Sequence, residues 1–375
     1  MASEAGVTPR YIMIGGFLGA GKTTLILKLA EHLSARGLRP GLITNDQGAG
    51  LVDTALVRSN RFATEEIAGG CFCCRFDSLV EAAGALARET RPDVFIAEPV
   101  GSCTDLVASV SHPLRHLYGD DFVVAPLSVV LDPIRALRMF GLEEGGTFSR
   151  KIAYLYHKQL EEARILVINK TDLLDEERLN RLSAVVQERY PTAEVFTTSA
   201  RLGRGLDPWF ERIMTTEQPG GATMDLDYDI YAEAEAMLGW LNCTVHVSAP
   251  RLFDGRQLVT YVAREIHQRL SGLGYEIAHL KMVLSRDDSL DEVLALNVVR
   301  NDFVPEVVPA LAERLASGRL LINLRAEAPP DRLRTAVMDA LERRRQTFES
   351  LTLDVQHLEH FQPARPQPTH RMATG

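Results

Sequence analysis

Residues 15–24 read Gly-Gly-Phe-Leu-Gly-Ala-Gly-Lys-Thr-Thr. From Gly16 they fit the spacing G-x-x-x-x-G-K-[ST], with Gly21, Lys22 and Thr23 at the fixed positions. The flanks suit it: Tyr11-Ile12-Met13-Ile14 is an apolar run of strand character, and Leu25, Leu29, Ala30 and Leu33 recur at helical spacing. Strand, glycine loop and helix start together form a phosphate cradle, in which converging N–H groups and the helix N-terminus attract an anion. Gly16, Gly19, Ala20, Gly21, Lys22, Thr23 and Thr24 are the expected phosphate-binding residues. Lys22 would neutralise the β- and γ-phosphates, and the Thr23 hydroxyl would ligate Mg²⁺.

Outward from the cradle, apolar strands alternate with amphipathic helices to about residue 210, predicting a P-loop α/β fold with a doubly wound, mostly parallel sheet. Strands are expected at 39–44, 93–97, 122–131, 165–168 and 194–197, and each is followed by a polar motif at its carboxyl end, where open α/β sheets bind ligands. The chain has 375 residues, which implies more than one core. We therefore expect a P-loop domain over 1–214 and a linker at 215–232. A smaller ferredoxin-like α+β domain follows over 233–361, with a helix at 305–316, a strand at 319–325 and a further helix at 331–345. The Pro-rich segment 362–375 is expected to be extended or disordered.

A net charge of −9 argues against a general nucleic-acid or anionic-membrane binder. No apolar run is long enough to span a bilayer, and residues 1–9 lack a secretory pattern. Five cysteines, three of them at 71, 73 and 74, suit a reducing cytoplasm. Cys103 and Cys243 are read as buried thiols.

Asn169-Lys170-Thr171-Asp172 follows an apolar strand. The Asp172 carboxylate can accept from guanine N1–H and the 2-amino group together, which adenine cannot supply, so the nucleotide is expected to be GTP. Asn169 would reach the purine N7 edge, the Lys170 stem would lie on the base, and Ser199 and Ala200 would offer backbone N–H to guanine O6. Glu98 ends a strand where an acid coupled to Mg²⁺ belongs, and Gly101 could sense the γ-phosphate. Asp46 is a candidate for positioning water or Mg²⁺.

Gly-Cys-Phe-Cys-Cys at 70–74 is a thiolate cluster suited to Zn²⁺ or another divalent transition metal. If the stretch is extended, Cys71 and Cys73 point the same way; a turn would bring in Cys74 instead. Glu65, Glu66, Asp77 or a residue of 46–53 could complete the ligand set.

Together, Gly-Phe-Leu-Gly-Ala-Gly-Lys-Thr-Thr, Gly-Cys-Phe-Cys-Cys, Glu98-Pro-Val-Gly101 and Asn-Lys-Thr-Asp resemble the CobW-type GTPases of the SIMIBI class, relatives of the HypB and UreG nickel-insertion proteins. The resemblance implies GTP hydrolysis coupled to delivery of Zn²⁺, Co²⁺ or a related metal to a client protein or cofactor-biosynthesis enzyme. It makes Cys71, Cys73 and Cys74 the metal-site candidates and suggests nucleotide-dependent homodimerisation. Asn45-Asp46-Gln47-Gly48 departs from the family's usual Asn-Glu-Phe-Gly. Two other readings stay open: a GTP-switched protein chaperone that carries no metal, and a small-molecule kinase.

Overall fold

The computed structural model describes residues 8–46, 62–119, 121–287, 293–302, 305–309, 314–347 and 351–374, without the side chains of 46, 306, 308, 309, 346 and 347. Two sheets, each with its own core, make up the fold.

The first sheet contains β1 (Arg10–Gly16), β2 (Pro40–Asp46), β3 (Ala63–Ala68), β4 (Val94–Glu98), β5 (Val123–Val124), β6 (Ser128–Leu131), β7 (Ile165–Ile168) and β8 (Glu194–Thr197), all paired in parallel. The order β3-β2-β4-β1-β6-β7-β8, with β5 also on β1, is the expected doubly wound sheet. Its central strands are near-continuous apolar runs because helices cover both faces. Two details differ from the sequence reading. The run 122–131 divides at Pro126 into β5 and β6, since proline cannot donate to a ladder. Strand β3, Ala-Thr-Glu-Glu-Ile-Ala, was not anticipated; it is an edge strand, which tolerates glutamates because one side is unpaired.

The second sheet is antiparallel, in the order β12-β11-β10-β13-β9-β14. Its strands are β9 (Leu238–Asp254), β10 (Ile277–Ser285), β11 (Val293–Val298), β12 (Glu306–Pro309), β13 (Arg314–Glu327) and β14 (Thr352–Phe361). With α9 (Gly255–Gly272) after β9 and α10 (Pro330–Thr347) after β13, the order β14-β9-β13-β10 is ferredoxin-like, and β11-β12 extends it as an inserted hairpin. The predicted elements were misassigned within this correct fold. The helix expected over 305–316 is not found in its described residues: Pro305-Glu-Val-Val-Pro309 combines β-branched residues with prolines, 306–309 forms a strand at the edge of the described sheet, and 314–316 belong to β13. The second helix is α10, and the fourth strand is β14, which was not predicted.

The expected linker contains the start of a helix, Tyr228–Met237, whose Tyr231, Ala234 and Glu235 are buried. Gln218 is buried too, its N–H donating to Val124 O at 2.8 Å and its side chain accepting from Leu127 N at 2.9 Å. Residues 362–374 are extended and lie on the first domain. No helix among the described residues is long and apolar enough to cross a membrane.

Candidate nucleotide and metal sites

Helix α1 (Lys22–Ala35) begins directly after Gly21, which adopts φ 97°. A Cβ there would meet Asn169 Nδ2 at 2.5 Å, so glycine is required on both counts. Lys22 Nζ donates to Gly16 O at 3.0 Å and lies 3.9 Å from Glu98. The Thr23 hydroxyl donates to Glu98 Oε1 at 3.1 Å. Lys22, Thr23 and Glu98 are all buried, so residues chosen from two separate motifs meet at one point. Asp46 ends β2, but its side chain lies outside the described residues, as does Gln47.

The Asn169–Asp172 motif works as a brace. Asn169 Nδ2 donates to Ala20 O at 3.0 Å, and its Oδ1 accepts from Ala200 N at 3.0 Å and from Thr198 Oγ1 at 3.3 Å. The amide expected to reach a purine thus ties the glycine loop to residues 198–200. Ser199 Oγ donates to Asp172 Oδ1 at 2.5 Å. Lys170, at φ 56°, places Nζ 3.1 Å from Gly19 O and 3.4 Å from Asp132. Sequence reasoning did not single out Asp132, although it closes β6 at the same sheet edge as the other motifs. Burial alone would raise its carboxyl; Lys170 and Arg300 outweigh that and hold it below its usual range.

Arg300 belongs to the second domain, and its Nη1 donates to both Asp132 oxygens at 2.9 and 3.0 Å. Arg135 crosses the other way, donating to Ala278 O at 3.0 Å and also to Val299 O. At Gly19, φ 79°, an added Cβ would meet the Val299 side chain at 2.8 Å. The second domain therefore packs directly on the glycine loop.

Residues 70–74 form a turn, with Cys74 N and Arg75 N both donating to Cys71 O. This geometry collects all three thiols, where an extended stretch would align two. The Sγ separations are 2.8 Å (Cys71–Cys73), 3.3 Å (Cys71–Cys74) and 3.6 Å (Cys73–Cys74). Sulfurs around a tetrahedral zinc at about 2.3 Å lie about 3.8 Å apart, so a modest widening of the triangle would admit one ion. Among the described residues, these three form the one close group of potential metal ligands, and Glu65, Glu66 and Asp77 do not join it. Cys103 is in side-chain contact with Cys71. Hydrogen bonds from Cys103, Cys73 and Cys74 draw the Cys71 thiol well below the usual range. The bond to Cys71 pushes Cys73 up, and Cys74 to about 11. One thiolate stabilised by neighbouring thiols is a ready first ligand.

Two links connect the sites. Asn45 Nδ2 donates to Ile67 O at 2.9 Å and to Gly70 O at 2.6 Å, directly before Cys71. Gln159 Nε2 donates to Gly101 O and Cys103 O at 3.0 and 2.8 Å, fixing the loop between Glu98 and the cysteines.

A glycine loop between strand and helix, with lysine, threonine and strand-end acid converging behind it, defines a P-loop nucleotide-binding domain. The profile of the CobW/HypB/UreG nucleotide-binding domain matches residues 10–197, and the chain belongs to this family. It is 33% identical over 198 residues to the zinc chaperone CobW of Sinorhizobium sp, covering 47% of this chain and 55% of that protein. It is 28% identical over 216 residues to the zinc-regulated GTPase metalloprotein activator 1 of Dictyostelium discoideum, covering 50% and 45%. The chain thus matches about half the length of these curated relatives. The crystal structure of Zn(II)-bound YjiA GTPase from E. coli aligns over 89% of this chain and 99% of that one, with 14% identity and a TM-score of 0.37.

Proposed function

We propose that this chain is a GTP-hydrolysing metallochaperone that carries Zn²⁺, Co²⁺ or Ni²⁺ on Cys71, Cys73 and Cys74 and passes it to a client protein or cofactor-biosynthesis enzyme. The observation that carries the reading is the Asn45 amide: it lies beside Lys22 and Glu98 at the phosphate cradle and bonds the backbone at Gly70, one residue before the thiols. A loop shift on nucleotide binding would be felt at the metal ligands. Thr23 and Glu98 are hard oxygen donors suited to Mg²⁺, which when bound would neutralise charge on the phosphates. Asp172 would select guanine. The relatives named for zinc support a thiophilic cargo.

The test is a Co²⁺ titration of the reduced chain, read by thiolate-to-cobalt absorption, with Mg²⁺·GTP, with Mg²⁺·GDP and without nucleotide. A stoichiometric band that differs between GTP and GDP supports the carrier. No band in any state ends it and favours a GTP-switched chaperone without metal, a reading also consistent with the burial of Cys71 and Cys73.

A further inference from the structure

The carboxyl edge of the first sheet holds an acid that belongs to none of the nucleotide motifs. Asp132 follows β6 and caps the helix Pro133–Met139, its Oδ1 accepting from Arg135 N at 2.9 Å. The side chain is buried, and a cation from each of two separate parts of the chain meets it. On one side is Lys170 of the Asn169–Asp172 motif, with Nζ 3.4 Å from Oδ2. On the other is Arg300, in the turn 299–302 that follows β11, whose Nη1 donates to the two oxygens at 2.9 and 3.0 Å. A buried carboxylate keeps its charge only with such compensation, because desolvation penalises the ionised form.

The same turn reaches the phosphate cradle. Val299 packs on Gly19, where an added Cβ would meet its side chain at 2.8 Å, and its carbonyl accepts from Arg135. The Arg135 guanidinium in turn lies 5.2 Å from the ring centroid of Phe17, inside the glycine loop. The turn is fastened from its own domain: Asn301 Nδ2 donates to Tyr275 O at 2.8 Å, and Asn301 Oδ1 accepts from Ile277 N at 3.1 Å. One anchored turn of the second domain thus touches the glycine loop directly and the guanine motif through Asp132. Lys170 joins the two from the other side, with Nζ 3.1 Å from Gly19 O. Its φ of 56° is a left-handed conformation that a residue with a side chain keeps only where its surroundings impose it.

We propose that Asp132 and Arg300 are positioning residues of the guanine-nucleotide site, through which the second domain raises nucleotide affinity without touching the nucleotide. The inference rests on the guanine-nucleotide reading above. Asp132 is shared between two cations, and with Arg300 in place it holds Lys170 where the stem can lie along a purine while Nζ reaches the Gly19 carbonyl. Without Arg300, the buried carboxylate draws more on Lys170 and pulls that side chain off the loop. Without the charge of Asp132, both cations lose a shared anchor. Linkage makes the effect reciprocal: a nucleotide that fixes Lys170 and Gly19 tightens the turn 299–302 against the first domain by the same factor.

The experiment is calorimetric binding of Mg²⁺·GDP to the full chain for the parent, R300Q, R300K, D132N and the double variant D132N/R300Q, with thermal midpoints of the nucleotide-free proteins measured alongside. R300Q and D132N are each expected to weaken GDP binding by roughly tenfold. The double variant should be no more than about twofold weaker than the worse single one, because both changes break one shared link. A single nitrogen of Arg300 serves both oxygens, so the contact is not a two-pronged fork, and R300K should recover most of the affinity. Hydrogen exchange at residues 299–302 should slow on GDP binding in the parent and not in R300Q. R300Q and R300K decide the matter if D132N fails to fold. A lowered thermal midpoint in R300Q with GDP affinity equal to the parent's would reduce the pair to a structural bolt and overturn the proposal, as would fully additive losses in the double variant. A parent that binds neither GDP nor GTP would end the guanine-nucleotide reading, and the positioning role with it.

Discussion

The phosphate cradle and the cysteine triangle are both covered by chain from the C-terminal half, but by different means. Over the cradle lies a folded sheet in which Arg325 is anchored by stacking and by carbonyls; Arg300 reaches from that side to Asp132, and Arg135 of the first domain reaches back to Ala278 O. Over the thiols lies extended chain. Gln367 N donates to Cys74 Sγ at 3.2 Å, Thr369 N to Cys73 O at 2.8 Å, and the Arg371–Asp105 pair at 2.8 Å fastens the far side. The first cover cannot leave without breaking the fully buried Arg300–Asp132 pair; the second is held by a few hydrogen bonds, each of about 1 kcal/mol net, and by one pair whose arginine is partly exposed, Arg371–Asp105. The phosphate side is thus built for fixed electrostatics, the thiol side for access.

The contrast assumes that the covered cradle takes a guanine nucleotide, so the sharpest way to break it is D172N. A carboxylate accepts two hydrogen bonds from guanine, whereas an amide suits xanthine, which presents a carbonyl at that edge. GTP affinity, measured by calorimetry, should fall by roughly 10³, with a gain for the xanthosine nucleotide. Unchanged GTP binding would remove Asp172 from the site.

Next in size is C73S. Loss of a ligand should weaken Co²⁺ binding by more than the roughly 10–100-fold that follows loss of an outer partner, while GTP affinity holds. Co²⁺ binding equal to the parent's would leave Cys73 as a packing residue.

The third prediction separates the two covers directly. Removing residues 362–375 should accelerate reaction of Cys74 with a disulfide reagent about tenfold and leave GTP hydrolysis unchanged. If the thiol rate does not rise, the extended segment is not what limits access.

Much of the cradle was legible because its groups come from short motifs whose spacing encodes their geometry: Lys22 and Thr23 in one loop, Asn169 and Asp172 in another. The covers were not. Gly19 meets Val299, and Gln367 meets Cys74, 293 positions away; no local pattern announces such contacts. Arg325 ends the strand expected at 319–325 and belongs to no motif, and its partner across the sheet, His279, shares none with it. Likewise 352–361 alternates apolar and polar residues imperfectly, because the register shifts between Val355 and His357, so β14 passed unnoticed.

The smallest expected effect concerns the ground beneath the Arg371 anchor. Glu162 is buried beside Asp105, with Oε1 accepting from Thr104 Oγ1 at 3.0 Å and Oε2 from Val107 N at 3.1 Å. Burial, reinforced by Asp105, pushes its carboxyl up to about 8 from an ordinary 4.5. Folded, the group keeps its proton until about pH 8; unfolded, it loses it near 4.5. The native state therefore binds more protons between those limits, and the stability this group contributes, present in full below about 4.5, is lost as pH rises through 8. E162Q is uncharged at every pH and can reproduce both contacts, its carbonyl accepting from Val107 N and its amide donating to the Thr104 hydroxyl. Between pH 5.5 and 8 the parent's thermal midpoint should fall relative to that of E162Q by roughly 3–6 °C. Parallel curves would mean that Glu162 is already ionised in the fold, with Asp105 and Arg371 alone setting the charge under the extended cover.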